Sequence, residues 1–118
     1  MAKRQHPEWD LQVGINFWFK NLYPQYLLFS IPNEATAMRA NRYRASGMMA
    51  GAPDMILVLK EKVIFLELKA PKGRQSDAQV MFQHKSELLG IEYYVIRDLV
   101  DLKEILRNNI PLNEWVDL

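Results

Sequence analysis

The strongest constraint on the fold is a pair of β-forming runs set back to back in the middle of the chain. Residues Asp54 to Lys60 and Lys62 to Lys69 are dense in Ile, Leu, Val and Phe and pivot around Glu61. That pattern suits the two strands of a hairpin inside a buried sheet. Pro53 precedes the first run, and Pro71-Lys72-Gly73 stops the second. The other elements must be arranged around this hairpin.

Pro7 to Leu22 carries Leu11, Ile15, Trp18, Phe19 and Leu22 at helical spacing, with Pro7 suited to a first turn and Tyr23-Pro24 to an end. Glu8 lies in line with that apolar stripe, while Asp10 points to the other side. Tyr26 to Ile31 reads as a short buried strand stopped by Pro32-Asn33. Ala35 to Ala50, rich in Ala, Met and Arg, predicts a helix of poor amphipathicity, broken by Gly51-Ala52-Pro53. Ser76 opens a helix to Leu89 with Gly90 as its stop, and Glu92 to Arg97 reads as a further strand. Asp98 caps a last helix carrying Leu99, Leu102, Ile105 and Leu106. The order α-β-α-β-β-α-β-α predicts an α/β or α+β sandwich, with a central mixed sheet flanked by helices. The 118 residues show neither a repeat nor a Gly/Ser/Pro-rich linker, so a single domain over 1–118 is expected.

Composition removes several classes of function. There are no cysteines, which excludes disulfides, thiolate zinc sites and a cysteine nucleophile, and is compatible with a reducing cytoplasm. His6, Glu8 and Asp10 stand where a signal peptide would need an apolar run, and stretches such as Met55 to Leu59 are too short to span a bilayer. A cytoplasmic protein without membrane contact is expected. The formal net charge is only +1, so any phosphate-binding surface must come from local clusters of Lys and Arg.

The chemistry concentrates at Pro53-Asp54 and, thirteen residues beyond Asp54, at Glu67-Leu68-Lys69. Alternation along a strand makes Glu67 and Lys69 project together while Leu68 faces the core. If the two runs pair, Asp54 at the start of one lies near the end of the other. Two carboxylates and an ammonium then meet at one edge of the sheet. Hard divalent cations take oxygen ligands, and magnesium in particular binds one or two carboxylates and keeps several waters. Such an ion stabilises charge on a phosphoryl oxygen and acidifies water. A neighbouring lysine can orient or deprotonate that water and neutralise the transition state.

This ordered set resembles the PD-(D/E)XK nuclease superfamily. The flanking residues Gly51-Ala52-Pro53-Asp54, Glu67-Leu68-Lys69-Ala70-Pro71 and Ser76-Asp77-Ala78-Gln79 are similar to its VRR-Nuc branch (virus-type replication-repair nuclease). Glu8-Trp9-Asp10-Leu11-Gln12 fits the N-terminal Glu-x-x-x-Gln of that branch, and the resemblance runs from about Glu8 to Arg97. It implies a restriction-endonuclease-like core, with Asp54, Glu67 and the Leu68 backbone carbonyl as metal ligands and Lys69 as the catalytic lysine. Glu8 would be an additional acid reaching the metal, and Gln79 would sit near the same centre. The implied cofactor is Mg2+, with Mn2+ substituting, and no small-molecule cofactor. The implied activity is a metal-dependent endonuclease, resembling the stand-alone short form common in phages and prophages. The resemblance further implies a homodimer acting on branched DNA such as Holliday junctions.

Several residues carry a second reading. Ser76-x-x-Gln79 is also a capping box, in which the glutamine serves only the helix end. Glu8 is also a first-turn acid favoured by the helix dipole. Arg39, Arg42 and Arg44, with Lys72 and Arg74, are either solvated faces or phosphate contacts flanking the site, and Tyr43 among them could stack on an unpaired base. Lys85, in the apolar stripe of Ala78, Met81, Phe82, Leu88 and Leu89, either snorkels outward or marks a subunit interface. His6 and His84 are not spaced as a metal pair. The alternative function is a catalytically silent DNA-binding module of the same fold within a phage replication or repair complex. In a third reading, the protein is a structural or interaction protein and the carboxylates only pair with Lys69 and Arg74. The substrate's DNA structure and the choice between magnesium and manganese are not legible in the residues.

Overall fold

The computed structural model describes residues 7–32 and 44–118. Their elements are α1 (Pro7–Leu22), β1 (Leu27–Ser30), β2 (Met55–Leu59), β3 (Lys62–Leu68), α2 (Asp77–Leu88), β4 (Glu92–Ile96), α3 (Leu99–Asn109) and a 3-10 turn over Leu112–Glu114. The sheet runs in the order β1-β2-β3-β4. The first three strands pair antiparallel, and β4 joins β3 in parallel after the crossover through α2. The expected mixed sheet between helices is therefore present.

The hairpin closes with Leu59 opposite Lys62, and Glu61 in the turn adopts the left-handed conformation at φ 60. Its register places Leu57 beside Ile64 and Met55 beside Leu66, all buried. These side chains, with Leu68 and Ile96, form one face of the sheet. They pack with Ile15 and Phe19 of α1 and with Leu102, Ile105 and Leu106 of α3. Each such buried aliphatic side chain contributes roughly 1.5–3 kcal/mol. The opposite face carries Phe65 and Tyr93, whose rings lie 5.8 and 6.5 Å from that of Phe82 on α2. Glu67 shares this second face because it alternates with Leu66 and Leu68.

Two expectations need correction. The strand around Leu27–Ser30 lies at the sheet edge, and only Leu28 of its four residues is buried. The helix expected over 35–50 does not reach Ala50. Arg44 and Ala45 are helical, and the chain then turns at Ser46 and Gly47, with Gly47 at φ 108. Gly47 ends the helix because a left-handed residue satisfies the last carbonyls, here through its N–H to Arg44 O at 3.0 Å.

The α2 stripe also behaves differently from its pattern. Ala78 and Phe82 turn toward the sheet, whereas Met81, Leu88 and Leu89 are exposed. The last residues are tied to α1 and its C-terminal flank. Tyr23 donates to the Val116 carbonyl at 2.7 Å and accepts from its N–H at 2.8 Å, and Trp18 donates to Asp117 at 2.8 Å. Among the described residues no helix is long and apolar enough to cross a membrane.

Candidate active site

β2 begins one residue after Asp54, and the pairing of Met55 with Leu66 brings Asp54 beside Glu67. Asp54 is fixed at both ends. Its carbonyl accepts from Ile31 N at 2.8 Å, and its Oδ2 accepts from Leu68 N at 2.7 Å. The N–H and C=O of one strand residue point to the same side. The Leu68 carbonyl therefore also faces the Asp54 side, while Lys69 N turns the other way to donate to Ile96 O at 3.0 Å.

Glu67 is 1% exposed. Gln79 Nε2 donates to its Oε1 at 2.6 Å, Tyr93 Oη donates to its Oε2 at 3.0 Å, and Lys69 Nζ lies 3.7 Å from Oε1. Its carboxyl is nevertheless pushed up to about 8. Burial is the main cause, followed by the charge and hydrogen bonding of Asp54, which outweigh the opposing pull of Tyr93 and Lys69. Burial and the adjacent Glu67 likewise push the Tyr93 hydroxyl well above the ordinary phenol range.

Gln79 both caps α2 and contacts Glu67. Its Oε1 accepts from Ser76 N at 2.8 Å and its N–H donates to Ser76 Oγ at 3.2 Å, completing the capping box. The amide nitrogen that remains is the one that reaches Glu67. A glutamine can do this because its side chain carries an acceptor and a donor on one carbon.

Glu8 stands at the same end of the sheet. Its Oε1 lies 3.4 Å from Ala70 N, a long hydrogen bond to the residue after Lys69. Among the described residues no three His, Asp or Glu side chains converge as a ready cluster for a metal ion. The structure thus brings Asp54, Glu67, Lys69 and Gln79 together and leaves Glu8 over the following turn. Two carboxylates and a carbonyl oxygen fit a hard cation that keeps part of its water shell. A cation held between the two carboxylates would offset the burial and the mutual repulsion that raise the Glu67 carboxyl.

Arg44, Lys72 and Arg74 are exposed and make no ion pair among the described residues. Arg39, Arg42 and Tyr43 lie outside the described residues, as does His6. His84 is exposed on α2, and Lys85 is exposed beside Met81 and Leu89. Sequence reasoning missed two residues. One is Tyr93, which reaches Glu67 only because Phe65 pairs with Tyr93 in the parallel register. The other is Arg97, whose Nη1 donates to the carbonyls of Ala70, Pro71 and Gly73 at 2.7, 3.2 and 2.9 Å. It staples the turn that carries Lys72. Neither role has a local signal in the chain.

The chain has the fold of VRR-Nuc domains. A solved structure described as "VRR_NUC domain protein" superposes with a TM-score of 0.73 at 17% identity, covering 92% of this chain and 91% of that one. Another, described as "VRR_NUC domain", gives 0.65 at 15% identity over 90% and 100% of the two chains. No protein-family model and no curated protein sequence matches the chain. At these identities the likeness is one of fold.

Proposed function

We propose that this protein is a magnesium-dependent, structure-specific DNA endonuclease. It hydrolyses phosphodiester bonds at branched DNA such as a Holliday junction and acts as a homodimer, with Mn2+ able to replace Mg2+. The observation that carries this reading is the Glu67 carboxylate, buried against Asp54 and flanked by Lys69 at 3.7 Å. A protein gains nothing in stability from such a conflict, and perturbed carboxylates of this kind concentrate at functional sites.

Asp54, Glu67 and the Leu68 carbonyl would hold the ion, whose contribution is to stabilise charge on a phosphoryl oxygen and to acidify water. Gln79 and Tyr93 keep the Glu67 carboxylate in one orientation, since the groups behind a ligand set its geometry. Lys69 places a positive charge where negative charge builds at the scissile phosphate and orients the attacking water. Glu8 approaches from α1 as an outer acid. Arg44, Lys72 and Arg74, together with Arg39 and Arg42, contact backbone phosphates and set the register of the duplex. Two centres related by a two-fold axis suit paired incisions across a symmetric junction.

The test is cleavage of labelled four-way junction, flap, single-stranded and duplex DNA in magnesium, manganese or EDTA, with Lys69→Ala alongside. Metal-dependent junction incision that falls at least about a hundredfold in the folded variant is expected. Full activity in the variant would remove Lys69 from the mechanism. Binding without cleavage under either metal would leave a catalytically silent DNA-binding module.

A further inference from the structure

On the β1 side of Asp54, opposite β3, a groove of 350 Å3 opens between α1 and the sheet edge. Its lining includes Met55, the residue after Asp54, and Lys20 of α1. Trp9 and Phe29 form its walls and are both largely exposed, Trp9 at 65%. Gln12 and Asn16 line the groove, and neither side-chain amide has a hydrogen-bond partner among the described residues. Trp9, Gln12, Asn16 and Lys20 recur at three- and four-residue steps, so one face of α1 presents them together.

We propose that this groove receives an unpaired nucleotide of the DNA substrate. The inference rests on the nuclease reading and deepens it by naming what the site would hold at a branch point, a nucleotide freed from pairing beside the scissile bond. Every base offers a π-face, and aromatic side chains bind unpaired bases by stacking without regard to sequence. The amides of Gln12 and Asn16 match the donors and acceptors on a base edge. Lys20 attracts the adjoining phosphate. A second copy of the chain fits the groove less well, because apolar contacts would bury these amides without partners.

The test measures binding in EDTA of a labelled duplex bearing a short oligothymidine tail against the same duplex with blunt ends. The wild type should prefer the tailed probe, and Trp9→Ala should cut that preference about tenfold. Trp9→Phe should keep most of it, because a phenyl ring still stacks. Phe17→Ala, which removes an exposed aromatic of α1 outside the groove, should leave the preference intact. Circular dichroism confirms that each variant folds. Equal tail preference in the wild type and Trp9→Ala would overturn the proposal. So would an equal loss in Phe17→Ala accompanied by dissociation in sedimentation, which would assign the α1 face to a second copy. Cleavage separates the two readings. Lys69-dependent junction cleavage without any Trp9-dependent tail preference removes the groove and keeps the nuclease. A Trp9-dependent preference without metal-dependent cleavage does the reverse.

Discussion

Glu67 accepts hydrogen bonds from Gln79 and Tyr93 and has a lysine nearby, yet its carboxyl still sits at about 8. Removal from water and the adjacent Asp54 outweigh what those neighbours return. This sets a pH dependence for the metal-free protein. The folded state keeps a proton on Glu67 up to about pH 8, whereas the unfolded chain releases it near 4.5. Between those values the folded state binds more protons, so stability is highest at the acid end and falls as pH rises. The slope reaches up to about 1.4 kcal/mol per pH unit. Urea titrations in EDTA across this window should show the decline in the wild type and a flatter profile in Glu67→Gln. Added magnesium or manganese should restore stability most at the alkaline end, where the ionised pair binds it. Identical profiles for the two proteins would mean that Glu67 is ionised throughout. The Asp54, Glu67 and Lys69 trio was legible because alternation and a hairpin are local rules. Tyr93 was not, because its contact depends on a parallel register between strands separated by α2.

Among the elements, the hairpin, both ends of α1 and α2 and the start of α3 followed their capping and periodicity signals to within a residue or two. The segment before β2 did not, because it holds several candidate stops and periodicity cannot choose among them. Gly47 ends the helix, while Gly51 serves a contact. A Cβ at Gly51 would lie 2.2 Å from the Ala78 carbonyl oxygen, and its φ is 81. The backbone before Asp54 is thus seated on the first turn of α2, the turn that carries Gln79. Both the clash and the left-handed φ oppose any side chain there. Gly51→Ala should destabilise by about 3 kcal/mol or more. Gly47→Ala, with open space around its Cβ position, meets only the conformational penalty of about 1–2 kcal/mol. Denaturant midpoints at unchanged m-values compare the two. Equal losses would mean that the α2 contact does not fix this segment. The Gly51 variant should also lose cleavage more steeply than stability, because Asp54 shifts relative to Glu67 and Gln79.

For the whole molecule, the open question is what meets the outer side of α2. Met81 and Leu89, 72% and 70% exposed, border an apolar groove of 510 Å3 lined also by Met49, Phe65 and Phe82, and Leu88, 74% exposed, stands seven residues on from Met81 on the same helix face. A contiguous apolar surface on a small protein marks an interaction face. The proposed homodimer gives it an occupant, since a two-fold axis brings the same patch of both copies together. Lys85, in the middle of that patch, then lies at the subunit boundary with its stem along apolar neighbours and its ammonium at the rim. A charge placed on this face would be buried in both copies of the dimer and exposed in the free monomer. Leu88→Glu should therefore leave the monomer's denaturation midpoint almost unchanged while weakening association at least about tenfold, because an unpaired buried carboxylate costs several kcal/mol. Sedimentation velocity over a concentration series reads this directly. On the proposed reading, the wild type should cut junctions in pairs and the same variant should nick them singly, since each monomer keeps its own Asp54, Glu67 and Lys69. A wild type that stays monomeric throughout the series would remove the dimer, and paired incision would then need two independent encounters.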